Sequence, residues 1–181
     1  MRDTLRKAAA VAFAATALAA STVLTGTSAQ AASAASTDAT PTCRTTGLRA
    51  SLADTDPAQV GMSHRGKLLR LTNTSGRTCA LRGYPGLGLE DAEHHPLVTE
   101  THWGSTYFAQ DPGKRTLFLE PGQSAEADLA WAVADAPRVV HASYLEITPP
   151  ASTTHLTLPF PERVTNGDLN VTAFAYRISL P

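Results

Sequence analysis

The stretch Leu117-Phe118-Leu119-Glu120-Pro121-Gly122-Gln123-Ser124-Ala125-Glu126-Ala127-Asp128-Leu129-Ala130-Trp131 decides the fold class. In it Ala125, Ala127, Leu129 and Trp131 alternate with Ser124, Glu126, Asp128 and Ala130, which is the period-two pattern of a strand with one apolar and one wet face. Leu117 and Leu119 alternate in the same way just before it. Between the two runs, Pro121 presets φ for the first central position of a turn, and Gly122 accepts the positive φ of the second. The two runs are expected to pair as a hairpin, with Trp131 inside and Glu126 and Asp128 in water.

Working outward, the same reasoning places a strand at 68–72, a tight turn at Asn73-Thr74-Ser75-Gly76, and a returning strand at 78–84 that carries Cys79 and Leu81. Further strands are expected at 87–90, 144–148, 154–158 and 170–180, the last dense in β-formers such as Val171, Phe174, Tyr176 and Ile178. Pro149-Pro150 and Pro159-Phe160-Pro161 fence these runs, because proline cannot donate within a ladder. Short alternating runs punctuated by turns predict an all-β protein, an antiparallel immunoglobulin-like β-sandwich built as a single domain over residues 43–181.

The N-terminus sets the compartment. Arg2, Arg6 and Lys7 precede a mostly apolar stretch over 8–24, and Ala29-Gln30-Ala31 fits a small-x-small cleavage pattern, so residues 1–31 read as a secretory signal peptide. The run is Ala-rich and weakly hydrophobic, which favours cleavage over retention as an anchor. Thr40-Pro41-Thr42 before Cys43 is not a lipoprotein box, so no membrane anchor is expected after cleavage, and the mature chain is expected outside the cell. Residues 32–42, almost wholly Ala, Ser, Thr, Asp and Pro, read as a flexible leader that cannot offset its ordering entropy by burial.

The full chain carries 15 Lys and Arg against 16 Asp and Glu, and cleavage removes three basic residues and one acidic one, leaving a mildly acidic mature protein. Its basic residues are scattered, with only Lys114-Arg115 adjacent. That excludes the phosphate-tracking stripe of a nucleic-acid binder and the polybasic patch of a lipid binder. Cys43 and Cys79 are the only cysteines, and two cysteines in an exported chain read first as a disulfide. Metal or redox work by them would need a C-x-x-C spacing or a nearby histidine, and neither is present.

Three segments carry a resemblance: Leu-Thr-Asn-Thr-Ser-Gly-Arg-Thr-Cys-Ala-Leu-Arg-Gly-Tyr-Pro-Gly at 71–86, Ser-Thr-Tyr-Phe-Ala-Gln-Asp-Pro-Gly at 105–113, and Leu-Glu-Pro-Gly-Gln-Ser-Ala at 119–125. In this order they resemble the exported actinobacterial family called domain of unknown function forty-two thirty-two. The resemblance implies an extracellular β-sandwich with Cys43 bridged to Cys79. It implies no activity.

No constellation of residues reads as catalytic, and no cofactor is expected. Gly122-Gln123-Ser124-Ala125-Glu126 lacks the second glycine of a nucleophile elbow and reads as an ordinary turn. Glu126 and Asp128 share one face of one strand, whereas glycosidase carboxylates oppose each other across a cleft. Asp91, Glu93, His94, His95 and His102 could meet at one divalent metal, with His94, His95 and His102 as the imidazole ligands. Against this, adjacent strand histidines point to opposite faces, and a hydrophilic loop explains the cluster. His64, His141 and His155 stand singly and are uninformative. Trp103, Tyr107 and Phe108 lie in the longest stretch without clean alternation and form the candidate binding surface, set against the reading that some of them cap the core. Asn73-Thr74-Ser75 and Asn170-Val171-Thr172 match glycosylation sequons, the first better explained by its turn. The expected role is a secreted, non-catalytic module binding an envelope glycan or protein; the rival is a secreted hydrolytic or metal-binding protein using the 91–102 cluster.

Overall fold

A computed structural model describes residues 39–180 of the protein. The signal-peptide reading of residues 1–31 and most of the leader reading fall outside the described residues. Among those described, a short 3-10 turn at Thr45–Gly47 precedes β1 (Leu48–Ala53), β2 (Val60–Gly61), β3 (His64–Asn73), β4 (Cys79–Arg82) and β5 (Gly86–Glu90). There follow β6 (Pro96–Leu97), β7 (Glu100–Trp103), β8 (Thr116–Leu119), β9 (Ser124–Ala132) and β10 (Val139–His141). The chain ends with β11 (Tyr144–Thr148), β12 (Leu156–Pro159), β13 (Arg163–Thr165) and β14 (Asp168–Val171).

The main sheet runs β1-β3-β9-β14-β7, with β2 added to β3, and the second sheet runs β12-β11-β5-β6. Two-stranded ribbons, β4-β8 and β10-β13, complete the set. Every strand pair is antiparallel except β14 with β7. The expected all-β, antiparallel-dominated sandwich with one disulfide is what the chain forms. One apolar cluster fills it: Leu69 and Leu71 of β3, Ala125, Ala127, Leu129 and Trp131 of β9, and Leu169 and Val171 of β14 meet Leu89, Leu145 and Ile147 of the second sheet. Trp131 meets Phe160 edge to face, with centroids 4.8 Å apart, a geometry that contributes about 0.5–1.5 kcal/mol beyond area burial.

The hairpin expectations fail, and for a single reason. β8 pairs with β4, and β9 pairs with β3 and β14, so neither turn closes a hairpin. The β3-β9 ribbon instead bends at one level in both of its strands and continues as β4-β8. Gly122, at φ +83°, supplies the positive φ on one side, and Gln123 N–H closes the turn onto Glu120 O at 2.9 Å. Asn73 supplies the other side. Its buried Oδ1 accepts from Ser75 N–H and its Nδ2 donates to Arg77 O and Leu119 O, which pins the two bends together. Each turn has hairpin chemistry, but facing one another they make a corner.

Cys43 and Cys79 form the expected disulfide, which in the chain-entropy model stabilises a fold by about 3–4 kcal/mol. Pairing begins two residues earlier than the expected domain start: Ala80 N–H donates to Pro41 O, and Thr42 bridges Ala80. The final strand stops at Val171, well short of the expected 170–180. Beyond it Thr172 N–H still bonds Asp128 O of β9, but Ala173 N–H goes to Asp111 Oδ1 and Phe174 N–H to Gly83 O, so the ladder is interrupted there and resumes only as a single bridge between Ala175 and Glu126.

Candidate functional site

The aromatic stretch divides into two groups. β6 pairs only with the end of β5, at Leu89 and Glu90, leaving the start of that β5 edge open. Side chains from alternate positions of the following segment close it: Thr99 Oγ1 accepts from Leu89 N–H, Thr101 Oγ1 donates to Leu87 O, and Trp103 Nε1 donates to Pro85 O at 3.0 Å. The Trp103 indole, tied in this way, stacks on Tyr84 with ring planes 11° apart and is still 61% exposed. The Tyr84 hydroxyl donates to Asp111 Oδ2, an interaction that raises its pKa, and Lys114 lies 5.3 Å from the Tyr84 ring centre. Tyr107 stacks instead on His64 at 4.2 Å, and Phe108 packs edge-on to Tyr107 and over Gly66. Trp103 and Tyr107 are both exposed, Phe108 only partly.

Asp128 corrects the sequence reading most sharply. It was assigned to the wet face of β9 and is completely buried, as is its outer-face neighbour Ala130. The 104–111 loop folds over that face: Thr106 Oγ1 and Gln59 Nε2 both donate to the Asp128 carboxylate, and Thr106 Oγ1 accepts from Phe108 and Ala109 N–H. Burial pushes the Asp128 pKa up, and the two donors pull it partway back. No cation contacts this carboxylate among the described residues. Glu126, its expected companion, is an ion-paired residue on Arg70 at 2.9 Å. One is a buried latch and the other a surface pair, so the two do not act together on a substrate.

The histidine cluster separates too. His94, at φ +63°, turns back so that Nδ1 lies 2.8 Å from Glu90 Oε2 while its ring stacks on Tyr144. His95 sits 3.2 Å from Asp91, whose carboxylate already accepts Glu93 and His95 N–H, and His102 sits 3.6 Å from Asp168. Asp91, Glu93 and His95 share one turn; His94 and His102 have other partners.

A different group assembles on the outer face of the second sheet. Register sets Glu146 of β11 opposite Gly88 of β5, and Tyr144 opposite Glu90, so all four share the face turned away from Leu89, Leu145 and Ile147. His155 Nε2 lies 3.0 Å from Glu146 Oε1, although His155 was read as uninformative. Donor atoms of Glu90, Glu146 and His155 all fall within 4.8 Å of one another. His94 holds the Glu90 carboxyl below its ordinary pKa, whereas burial and then the Glu90 carboxylate push that of Glu146 up.

The family described as domain of unknown function (DUF4232) matches residues 43–175. The chain belongs to this family. No curated protein and no solved structure matches it. The DUF4232 match spans the disulfide, the corner at Asn73 and Gly122, the Trp103 ladder and the Glu90 group together. Among the described residues, no helix is long and apolar enough to cross a membrane.

Proposed function

We propose that this DUF4232 protein is an exported, non-catalytic binding module of immunoglobulin-like architecture that holds an envelope glycan against Trp103. The observation that carries the reading is the exposed indole fixed at both its N–H and its face by Pro85 and Tyr84. A flat apolar surface that is already immobile takes the C–H face of a sugar ring with little ordering entropy. Lys114 and Asp111, gathered at Tyr84, supply polar groups beside it. The signal-peptide pattern and the disulfide support the extracellular setting.

The test is retention of the purified protein on insoluble cell-wall polysaccharide. Wild type and Tyr107→Ala are expected to be retained, and Trp103→Ala to lose at least about tenfold in affinity, as an aromatic anchor does when truncated. Equal retention of wild type and Trp103→Ala, or no retention of wild type, overturns the proposal.

A further inference from the structure

We propose that Glu90, Glu146 and His155 bind one divalent transition ion of the zinc class on the outer face of the second sheet, with His94 orienting Glu90 from behind. This site is separate from Trp103 and stands or falls independently of the glycan reading.

The geometry comes from strand register. Glu146 lies directly across from Gly88, and a Cβ there would stand 2.8 Å from Glu146 Oε2, so the glycine leaves the pit in which that carboxylate lies flat against the sheet beside Glu90. His155, just ahead of β12, reaches the same carboxylate from the other side. Two ligand atoms on one zinc lie no more than about 4 Å apart, twice a bond of roughly 2.0–2.2 Å. The three donors, all within 4.8 Å of one another, close to that spacing by small side-chain rotations.

A second observation points to a cation. Glu90 is only 7% exposed and faces a second carboxylate, and neither has a lysine or arginine partner among the described residues. Two carboxylates this close, one buried and one partly exposed, with only the imidazoles of His94 and His155 against them, favour a positive ion or a shared proton between them. The imidazole decides the class of ion, because magnesium and calcium take all-oxygen shells whereas zinc takes nitrogen with carboxylate. His94 Nδ1 on Glu90 supplies the outer partner that fixes a ligating carboxylate. The other two groupings fit less well: Asp91 spends Oδ1 on two backbone N–H groups within its turn and sits with exposed Glu93 and His95, and Glu100 and His102 are exposed with Asp168 half-buried.

Chelator-stripped protein titrated with zinc chloride by calorimetry tests this, with cobalt(II) absorption reporting the ligand field. Wild type is expected to bind one zinc per chain and to melt at higher temperature with it. His155→Ala, whose side chain is half exposed and therefore safe for folding, and Glu146→Gln should each weaken binding by at least about tenfold. Gly88→Ala should weaken it as well by displacing Glu146, with little change in metal-free stability. His95→Ala should bind as wild type does. Undiminished binding by His155→Ala and Glu146→Gln, loss of binding in His95→Ala alone, or a wild type that takes no zinc at millimolar concentration overturns the proposal, leaving a shared proton between the carboxylates.

Discussion

The outer faces of the two sheets each hide a carboxylate, and they hide it in opposite ways. On the main sheet, Asp128 is covered by a loop and satisfied by uncharged donors, Gln59 and Thr106. On the second sheet, Glu90 is covered mainly by His94 and meets imidazole and another carboxylate. Neutral donors make Asp128 a latch that anchors a segment of chain; titratable neighbours make Glu90 a group that can exchange a proton or hold an ion. Burial alone does not mark a functional carboxylate, and the identity of its partners does.

Of the two carboxylates, the larger effect is expected from breaking the latch. Asp128→Ala strips Gln59 Nε2 and Thr106 Oγ1 of their acceptor inside a closed site, at a cost of about 3 kcal/mol in urea unfolding. Amide exchange over 105–111 should accelerate in the same variant, because Thr106 no longer ties the loop to β9. A cost within about 0.5 kcal/mol, the range of ordinary surface changes, would show that the loop holds itself and that the contrast between the two faces is only one of cover.

A smaller effect sharpens the contrast, because the two carboxylates titrate with opposite sign. Asp128 has a raised folded pKa, so its favourable contribution is complete below the ordinary value of 3.8 and is lost as pH rises through the folded value. Asp128→Asn, which cannot ionise, should therefore gain on wild type as pH rises from that point. Glu90 has a lowered folded pKa, so its contribution is present above 4.5 and is lost as pH falls through the folded value. Glu90→Gln should lose ground to wild type as pH rises. Thermal melts of the three proteins between pH 3 and about 6 with chelator present check both signs, and parallel curves would remove the distinction.

Much of the frame was legible because it depends on local rules. Period-two alternation found β5, β9 and β11 nearly to the residue and the second half of β3, and the Pro121-Gly122 turn formed as its chemistry demands. Pairing was not legible, since a turn with hairpin chemistry does not say whether its strands bond each other or continue a neighbouring ribbon around a corner. Asp128 was misplaced for a related reason: alternation assigns a residue to a face, and only the distant Gln59 and Thr106 reveal that the face is covered. His155 was missed because its partners, Glu90 and Glu146, meet through the β5-β11 register and not through spacing. The one available signal was the glycine at Gly88, two residues before Glu90 on the same face, where a β-former is the ordinary choice.

The smallest expected effect lies at the edge between the two sheets. Trp103 combines two jobs, closing the β5 edge through its N–H and presenting its ring to solvent, and Trp103→Phe separates them. The phenyl ring can still lie on Tyr84, but Pro85 O loses its donor, and an edge carbonyl released near solvent costs only about 0.5–1 kcal/mol. The buried Trp131 offers the reverse case, since its Nε1 has no partner among the described residues and its ring fills the core, so Trp131→Ala should cost about 3–5 kcal/mol through packing. If the ring of Trp103 is what binds, Trp103→Phe keeps most of the retention on wall polysaccharide while Trp103→Ala loses it. Were Trp103→Phe as deficient as Trp103→Ala, the position of the edge and not the aromatic face would be the element that matters, and the ladder of Thr99, Thr101 and Trp103 would have to be tested in its place.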